Sequence, residues 1–397
     1  MIELKVPKKS LWCFWTITLL VHLTMVKIQY QYLPVYDKIR TASVILLLIM
    51  ILPYLKIFFQ MRRDILLNIS VLLFVCSVLY SSIINRGYES SRFMASIQYA
   101  VGLAETFFIF QIIQHIDYTE LAKKIIYYWI LFYCLLSDFL MFIKPNVYGT
   151  VDGYLVGNKF QISYLHIILF VLYYALKEGK KNKDVTLLIH FVGALAISFL
   201  TGCSTALIGC GIIAIMIFMR SNIETAVKSW CLALGVLTVC DSLLLVNAAV
   251  LTNKHIGYFI QEVMGKDPTL TGRLRIYSQI HLALEKNIWF GSGIENNHTV
   301  TMRALSAANA QNGILDCIVS FGIVGLVFLG LIFLYSFKRG RDNASFAFYL
   351  MVYTFIAISM VEVTLKQEFI VFLAMVGCLW DDNYDDVEGD RECYVRV

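Results

Sequence analysis

The chain has 397 residues, of which 59% are apolar and 14% aromatic, while only 15% carry a charge. No water-soluble domain of this length has so few charged residues. The composition therefore excludes a soluble globular protein and indicates a polytopic membrane protein. In such a protein the formal net charge of +5 matters less than where the charges lie.

Apolar runs long enough to cross a hydrocarbon core of roughly 30 Å recur along the whole chain. The runs are continuous, which favours transmembrane α-helices over the short alternating strands of a β-barrel. We therefore predict an all-α transmembrane helix bundle of about twelve spans, near residues 10–26, 41–59, 65–84, 93–114, 125–143, 161–176, 185–200, 203–219, 229–251, 312–337, 344–363 and 368–380.

A long polar interval divides these spans. We predict a bundle of about nine spans over residues 1–251, a large extracytoplasmic loop over 252–311, about three spans over 312–380 and an acidic tail over 381–397. The predicted cytoplasmic pieces carry 18 Lys and Arg residues, whereas the short external loops carry 8. Because cytoplasmic loops are enriched in these residues, both termini are predicted to be cytoplasmic.

The stretch from Thr269 to Gly293, TLTGRLRIYSQIHLALEKNIWFGSG, lies within the predicted external loop. We predict an amphipathic helix from Gly272 to about Lys286. Its apolar stripe has the helical spacing of three and four residues and contains Ile276, Tyr277, Ile280 and Leu284. Arg273 begins the same stripe, whereas Arg275, Gln279 and Lys286 face water.

A guanidinium on an apolar face must reach water, form an ion pair or bind an anion. Thr271 is a candidate N-cap, so the free N–H groups and the positive end of the helix dipole would lie beside Arg273. This combination favours a phosphate ligand. The alternative is a helix that lies on the membrane surface with its arginines against lipid head groups, and residue spacing alone leaves both open.

Few ionisable residues lie within or at the ends of the predicted spans. They are His22, Lys56, Glu105, Asp138, His166, His190, Asp241, Asp316 and Glu362. Such residues indicate function in general, although for each one a packing or interfacial role is favoured here. The number of spans also allows a transporter or a flippase of lipid-linked oligosaccharides. A transporter coupled to ions would be expected to have more of these residues, and matched broken helices in two halves.

Three segments resemble the O-antigen ligase and polysaccharide polymerase superfamily (Wzy/WaaL-like). Residues 269–293 resemble that family's T-G-R helix and the turn that follows it. AQNGILDCIVSFGIVGL at 310–326 is similar to its H-N-x-x-L segment, and GYLVGNKF at 153–160 is a weaker match to its G-x-x-x-N-K-N loop. The chain departs from the family at Gln311, where many members have a histidine that acts as a base. It also departs at Cys203–Thr205, where many have S-R-T.

The resemblance implies transfer of a glycan from a polyprenyl diphosphate to an acceptor hydroxyl at the outer face of the bacterial plasma membrane. The A-Q-N-G-x-L-D segment looks more like capsule-type or O-antigen repeat-unit polymerases than like the histidine-bearing ligases, so polymerisation is preferred and ligation is the alternative. The implied partners are polyprenyl-diphosphate-linked glycans, the lipid bilayer, a flippase and a chain-length regulator. No nucleic acid is expected. No His, Cys, Asp or Glu cluster has metal-ligand spacing, and no metal or other cofactor is expected.

The chemistry requires cationic groups at the departing diphosphate and a base near the acceptor hydroxyl. We predict that Arg273 stabilises the diphosphate and that His298 or Glu295 is the base. The predicted substrate-binding residues are Arg275, Lys159, Asn158, Gln311 and Asn312, with the two amides on sugar hydroxyls. Asp316, one helical turn after Asn312, could face the same cavity.

Overall fold

The computed structural model describes residues 7–60, 65–86, 93–148, 150, 153–178, 184–246, 273–285, 287–294 and 296–380. These residues form two short 3-10 helices and sixteen α-helices, which are α1 (Pro7–Thr24), α2 (Tyr36–Ile51), α3 (Leu55–Gln60), α4 (Ile65–Ile84), α5 (Phe93–His115), α6 (Thr119–Ile143), α7 (Lys159–Lys177), α8 (Val185–Leu200), α9 (Ser204–Phe218), α10 (Arg220–Val227), α11 (Trp230–Val246), α12 (Arg273–Leu284), α13 (Asn297–Leu305), α14 (Gly313–Gly340), α15 (Phe346–Ser359) and α16 (Gln367–Cys378). The described part contains no strand, so the all-helical prediction is confirmed.

Among the described residues, five helices are long and apolar enough to cross a membrane: α4, α5, α6, α7 and α14. A sixth span is formed if α9 and α10 cross together, although they are bent by 104° at their junction. Shorter apolar helices occur at α8, α11, α15 and α16. The protein is thus a multi-pass membrane protein. The predicted twelve spans and large external loop are not confirmed, and the loop residues 252–272 and the tail 381–397 lie outside the described residues.

Helices α15 and α16 form the centre of the bundle. They are apolar on all sides, and nearly every residue of both is buried, as expected for helices that no longer face lipid or water. Helix α16 packs on α14 and α5, while α15 packs on α7 and α9. The outer helices α2, α4 and α8 expose large aliphatic side chains instead, which fits contact with lipid. The two central helices therefore fix the loop between them, residues 360–366, at one end of the bundle.

Helix α14 is broken at Gly322, which has φ +71° and ψ −177°. The turn at residues 288–293 fills the break: Ser292 N–H donates to Val319 C=O (2.7 Å), and Ile323 N–H donates to Ile288 C=O (3.0 Å). Backbone groups that the break removes from the helix are therefore satisfied within the membrane protein. A Cβ at Gly322 would lie 2.1 Å from the carbonyl oxygen of Trp289, so only glycine permits this contact.

A second loop contact lies at the start of α7. Gly157 N–H donates to Lys27 C=O (2.9 Å), which ties the loop before α7 to the loop between α1 and α2. Asn158 then caps α7: its side chain accepts from Gln161 N–H (3.2 Å), and the Gln161 side chain accepts from Asn158 N–H (3.2 Å). This reciprocal capping box fixes where the helix begins. The backbone of Lys27 and the side chain of Asn158 are thereby held at the same end of the bundle.

Candidate active site

Helix α12 carries the predicted apolar face. The helix runs from Arg273 to Leu284, within two residues of the predicted bounds at either end. Ile276 and Tyr277 are buried in a small apolar cluster with Leu305, Ala310 and Leu315, and Ile280 packs against it. The periodicity of the sequence thus identified the face that docks on the bundle. The candidate N-cap, Thr271, lies outside the described residues.

Arg273 lies on the docked side of this helix. Only 15% of its side chain is exposed, and its Nη2 lies 4.0 Å from Oε2 of Glu362. Its Nε is buried and has no hydrogen-bond partner among the described residues. A guanidinium has five N–H donors in a fixed fork, so this one retains a donor directed away from water. The side chain does not point into bulk solvent, as a simple surface anchor would.

Glu362 lies in the loop between α15 and α16 and is 9% exposed. Burial raises the pKa of its carboxyl, and the positive charge of Arg273 opposes that rise. The backbone N–H of Val363 donates to Oε1 at 3.3 Å. Arg273 and Glu362 therefore form a long ion pair, a separation at which a guanidinium and a carboxylate attract each other but do not share a direct hydrogen bond.

Tyr277 fixes the helix carrying Arg273 to the loops around the site. Its hydroxyl donates to the carbonyl of Gln311 (2.8 Å), with a second, longer contact to that of Met360 (3.3 Å). Burial raises the pKa of this phenol, and Arg273 acts in the opposite direction. Tyr277 therefore stays neutral and links α12 to the segments before α14 and after α15.

Two cavities lie in this region, and Glu362 lines the first of them. The first, the Glu362 cavity, has a volume of about 260 Å³ and is lined by Asn158, Tyr164, Asn309 and Glu362, among others. The second, the Asp316 cavity, has a volume of about 270 Å³ and is lined by Arg40, Gln98, Asn297 and Asp316, among others. Lys27, Lys366, Gln161 and Glu368 line both. The two cavities thus meet at two lysines.

Asp316 is the carboxylate of the second cavity and is 3% exposed. Its Oδ2 accepts a hydrogen bond from Asn297 Nδ2 (3.3 Å) and lies 3.9 Å from Lys366 Nζ. Asn297 also donates to the hydroxyl of Ser320, one turn further along α14, at 3.1 Å. The sequence suggested that Asp316 could face a cavity, and it lines one.

The two predicted sugar-binding amides lie next to Tyr277. Gln311 has a left-handed backbone with φ +54°. Asn312 is fully buried and caps α14, accepting from Leu315 N–H (2.9 Å) and donating to Asp241 Oδ1 (2.7 Å). Its side chain therefore has protein partners on both its oxygen and its nitrogen. Contact of either residue with a sugar stays a prediction.

The other predicted residues lie around the cavities. Asn158 lines the Glu362 cavity, and Lys159 follows it with its Nζ 5.4 Å from the centre of the Phe160 ring. Arg275 and His298 are exposed, and Arg275 reaches the carbonyl of Leu305 at 3.5 Å. Glu295 lies outside the described residues. The roles predicted for these residues stay predictions.

Sequence reasoning did not identify Lys27, Lys366 and Glu368 as site residues. All three line both cavities. A signal was available for two of them: the segment from Glu362 to Glu368, EVTLKQE, places three charges within seven residues between two apolar helices. Such charge in a short loop between buried helices indicates a polar site at that end of the bundle.

Comparison with known proteins gives one match. Residues 189–330 match a family model described as O-Antigen ligase, a range that reaches from α8 into α14 and includes α12 and α13. No curated protein and no solved structure matches the chain. The segments at 269–293 and 310–326 both lie inside the matched range. The match therefore supports the resemblance of this all-helical, multi-pass chain to the O-antigen ligase and polysaccharide polymerase superfamily.

Proposed function

We propose that this protein polymerises polyprenyl-diphosphate-linked oligosaccharide repeat units into a surface polysaccharide, O-antigen or capsule, at the outer face of the bacterial plasma membrane. The family match supports a membrane enzyme of the glycosyltransferase type. One observation carries the rest. Arg273 has a buried N–H donor without a partner among the described residues and is paired with Glu362, and Glu362, Lys27 and Lys366 line one cavity.

The proposed donor site uses these three cations for the diphosphate. Arginine forms paired hydrogen bonds with phosphate oxygens, and lysine adds a compact positive charge. In the reaction, the acceptor hydroxyl oxygen bonds to the anomeric carbon of the donor glycan. The bond from that carbon to the phosphate oxygen breaks, and its electron pair leaves with the diphosphate. Arg273 stabilises the negative charge that accumulates there.

The remaining predicted residues have supporting roles in this proposal. Asn158 at the cavity wall and Lys159 next to it contact the donor, and Arg275 on the exposed side of α12 contacts it from the solvent. Gln311 and Asn312 contact sugar hydroxyls. His298 and Glu295 are candidates for the base. A flippase that supplies the donor and a chain-length regulator are the proposed protein partners.

Reconstitution tests the proposal. Purified protein in liposomes, supplied with lipid-linked repeat units alone, is expected to produce a ladder of polymer. Arg273→Ala should reduce the initial rate by about 100- to 1,000-fold, the usual effect of removing one group that stabilises transition-state charge. Arg273→Lys should restore only part of it, because lysine lacks the fork.

Arg303→Ala is the matched control, since Arg303 is an exposed arginine on the adjacent helix α13. It should retain the rate of the unmodified protein. Equal rates for Arg273→Ala and Arg303→Ala, at equal protein amounts, would mean that α12 is merely a surface helix. Movement of substrate between leaflets with no polymer at all would favour the flippase.

Ligation is the second candidate, because the matching family model is described as O-Antigen ligase. A ligase transfers a finished glycan to a different acceptor, so it needs an acceptor glycolipid that carries no diphosphate. Liposomes containing lipid-linked repeat units with and without such a glycolipid separate the two activities. Polymer from repeat units alone supports the polymerase, whereas a product that appears only with the second lipid supports the ligase.

A further inference from the structure

We propose that Asp316 is the catalytic base, and that its Oδ1 accepts the proton of the attacking hydroxyl. This inference rests on the proposed function and answers the question that Gln311 raises, since an amide at the position of the family's histidine cannot accept a proton. It assigns the Asp316 cavity to the acceptor glycan and the Glu362 cavity to the donor diphosphate.

The hydrogen bonding of Asp316 indicates a missing ligand. Oδ2 accepts from Asn297, but Oδ1 is buried and has no hydrogen-bond partner among the described residues. Leaving a buried carboxylate oxygen without a donor is unfavourable. The residue is 97% buried and lines a cavity, so a hydroxyl bound in that cavity could supply the missing donor.

The fold holds this carboxylate rigidly. Asp316 lies in the first turn of α14, where its own N–H donates to Asn312 C=O (3.0 Å) and Asn312 caps the helix. Asn297, which is itself bonded to Ser320, fixes Oδ2 from the side of α13. Groups held on helices by a second layer of hydrogen bonds are positioned more precisely than groups on loops. Oδ1 is thus the one oxygen of this carboxylate left for a substrate.

Lys366 connects the two halves of the site. It lines both cavities, and its Nζ lies 3.9 Å from Asp316 Oδ2. A diphosphate in the Glu362 cavity and a hydroxyl at Asp316 would therefore meet on either side of this lysine. The anomeric carbon of the donor would lie between them, as an attack opposite the leaving diphosphate requires.

The proton balance of the step is complete. The hydroxyl oxygen forms its bond to the anomeric carbon as its proton passes to Oδ1, and the carbon–oxygen bond to the phosphate breaks with the electron pair on the diphosphate. Asp316 then loses the proton to water when the product leaves. No other reactant is needed.

The other carboxylates and histidine of the region are less well placed. Glu362 faces Arg273 and lies on the diphosphate side, where a base for the hydroxyl is not needed. His298 is exposed on α13, away from the buried wall that Asp316 forms. Glu368 lines both cavities, but, unlike Asp316, it has no buried carboxyl oxygen that lacks a hydrogen-bond partner among the described residues.

The experiment compares Asp316→Asn, Asp316→Ala and His298→Gln in liposomes with lipid-linked repeat units, with Asp342→Asn as the control at an exposed aspartate of the opposite end. Asp316→Asn should lower the initial rate by about 100- to 10,000-fold. Competition by polyprenyl diphosphate should stay within about twofold of the unmodified protein, because the donor cations are unchanged. Asp342→Asn should retain the rate, whereas a loss of rate confined to His298→Gln would identify the histidine as the base instead.

Chemical rescue separates a base from a structural carboxylate. Formate can enter the space left in Asp316→Ala and accept the proton there, so it should raise the rate of that variant by about tenfold or more and leave Arg273→Ala unchanged. A near-normal rate for Asp316→Asn, or no rescue by formate of a variant present at normal amounts, would overturn the assignment. If Asp316→Asn fails to accumulate, the rescue alone decides.

The proposed function and this inference fail in different ways. If the unmodified protein makes no polymer and no ligated product, the proposed function is wrong. If the unmodified protein makes product and the Asp316 variants behave as the control does, only the assignment of the base is wrong, and His298→Gln then identifies whether the exposed histidine has that role.

Discussion

The two ends of helix α7 show two different uses of charge. At one end, Arg220 lies 2.5 Å from Glu178 and 2.8 Å from Glu224, and Glu178 also accepts a hydrogen bond from the hydroxyl of Ser345. At the other end, roughly 28 Å away along a helix of this length, the Arg273 side chain is 4.0 Å from its partner carboxylate. We call the first the closed end, because Arg220 lies within hydrogen-bond distance of both carboxylates. We call the second the open end, because Arg273 and Glu362 are too far apart to share a hydrogen bond.

Two carboxyl groups in loops, Asp184 near the closed end and Glu362 at the open end, have pKa values that shift in opposite directions. A hydrogen bond from Tyr173 and another from Lys177 hold the pKa of Asp184 well below its usual range, as the protein supplies partners for its ionised form. Burial raises the pKa of Glu362, because the protein supplies too few. Buried polar groups in folded proteins are almost always satisfied. A cluster with an unpartnered Arg273 Nε and Asp316 Oδ1 is therefore better explained by a ligand than by stability.

The largest effect is expected from the backbone that supports the open end. Gly322→Ala would place a Cβ 2.1 Å from Trp289 O at a backbone conformation that other residues rarely adopt, and we expect a loss of about 4 kcal/mol in the free energy of unfolding. Gly330→Ala, on the same helix with open space at its Cβ, is the matched control. Thermal unfolding in detergent measures both, and similar stability of the two variants would show that the break in α14 does not anchor the 288–293 turn.

The closed end can be tested by removing its arginine. Arg220→Ala leaves Glu178 partly buried without its cation, so we expect a loss of about 1–3 kcal/mol in stability. Activity per folded molecule should stay within about twofold, because the network lies far from the cavities. Arg273→Ala should show the reverse, with little change in unfolding temperature and a large loss of rate. Loss of activity per molecule in Arg220→Ala would mean that the two ends are coupled.

The sequence predicted the part of this site that lies on one helix. The stripe Ile276–Tyr277–Ile280 follows from helical periodicity, and it correctly docks α12 on the bundle. Because Arg273 starts the same stripe, its burial followed from the same pattern. All-helical architecture followed from the continuous apolar runs, whereas the number of spans did not, since several apolar helices are shorter than a bilayer requires.

The cavity itself could not be predicted from local patterns. Lys27 comes from the loop after α1, Asp316 from α14 and Lys366 from the loop before α16, and only the packing of these helices brings them together. Whether a charge is paired also depends on geometry: Asp184 and Glu362 are both loop carboxyls in the sequence, yet their pKa values shift in opposite directions. Pairing is a property of the fold and not of the sequence neighbourhood.

The next largest effect is on the affinity for polyprenyl diphosphate, which should depend on whether Glu362 is ionised. A carboxyl whose pKa is raised in the folded protein contributes stability below its unfolded pKa of about 4.3 and loses that contribution as pH rises through the folded value. In its ionised form Glu362 competes with a diphosphate for Arg273, and Lys366 and Asp316 are the other charges that act on it. Glu362→Gln should therefore bind polyprenyl diphosphate about three- to tenfold more tightly at pH 7.5.

Measuring the affinity for polyprenyl diphosphate as a function of pH tests whether Glu362 competes with the ligand for Arg273. The advantage of Glu362→Gln over the unmodified protein should shrink as pH falls and Glu362 takes up a proton, whereas protonation of the diphosphate itself affects both proteins alike. Asp342→Asn, at an exposed aspartate, should follow the unmodified protein. A fall in affinity in Glu362→Gln would show that the carboxylate orients Arg273 for the ligand and does not compete with it.

The smallest effect comes from Asn158, which has both a structural and a proposed binding role. Its side chain caps α7 and also lines the Glu362 cavity. Asn158→Ala removes the cap and should lower the free energy of unfolding by about 1 kcal/mol. Asn158→Ser keeps an oxygen that can cap the helix, so it should recover most of that stability.

Donor affinity then separates the two roles, because serine restores the cap but lacks the amide nitrogen. If Asn158 acts only as a cap, Asn158→Ser should bind polyprenyl-diphosphate-linked repeat units as the unmodified protein does, and Asn158→Ala should differ only in stability. If the amide also contacts the donor, both variants should bind more weakly to a similar extent while only one is destabilised. The second pattern would place Asn158 with the open end of α7 in function as well as in position.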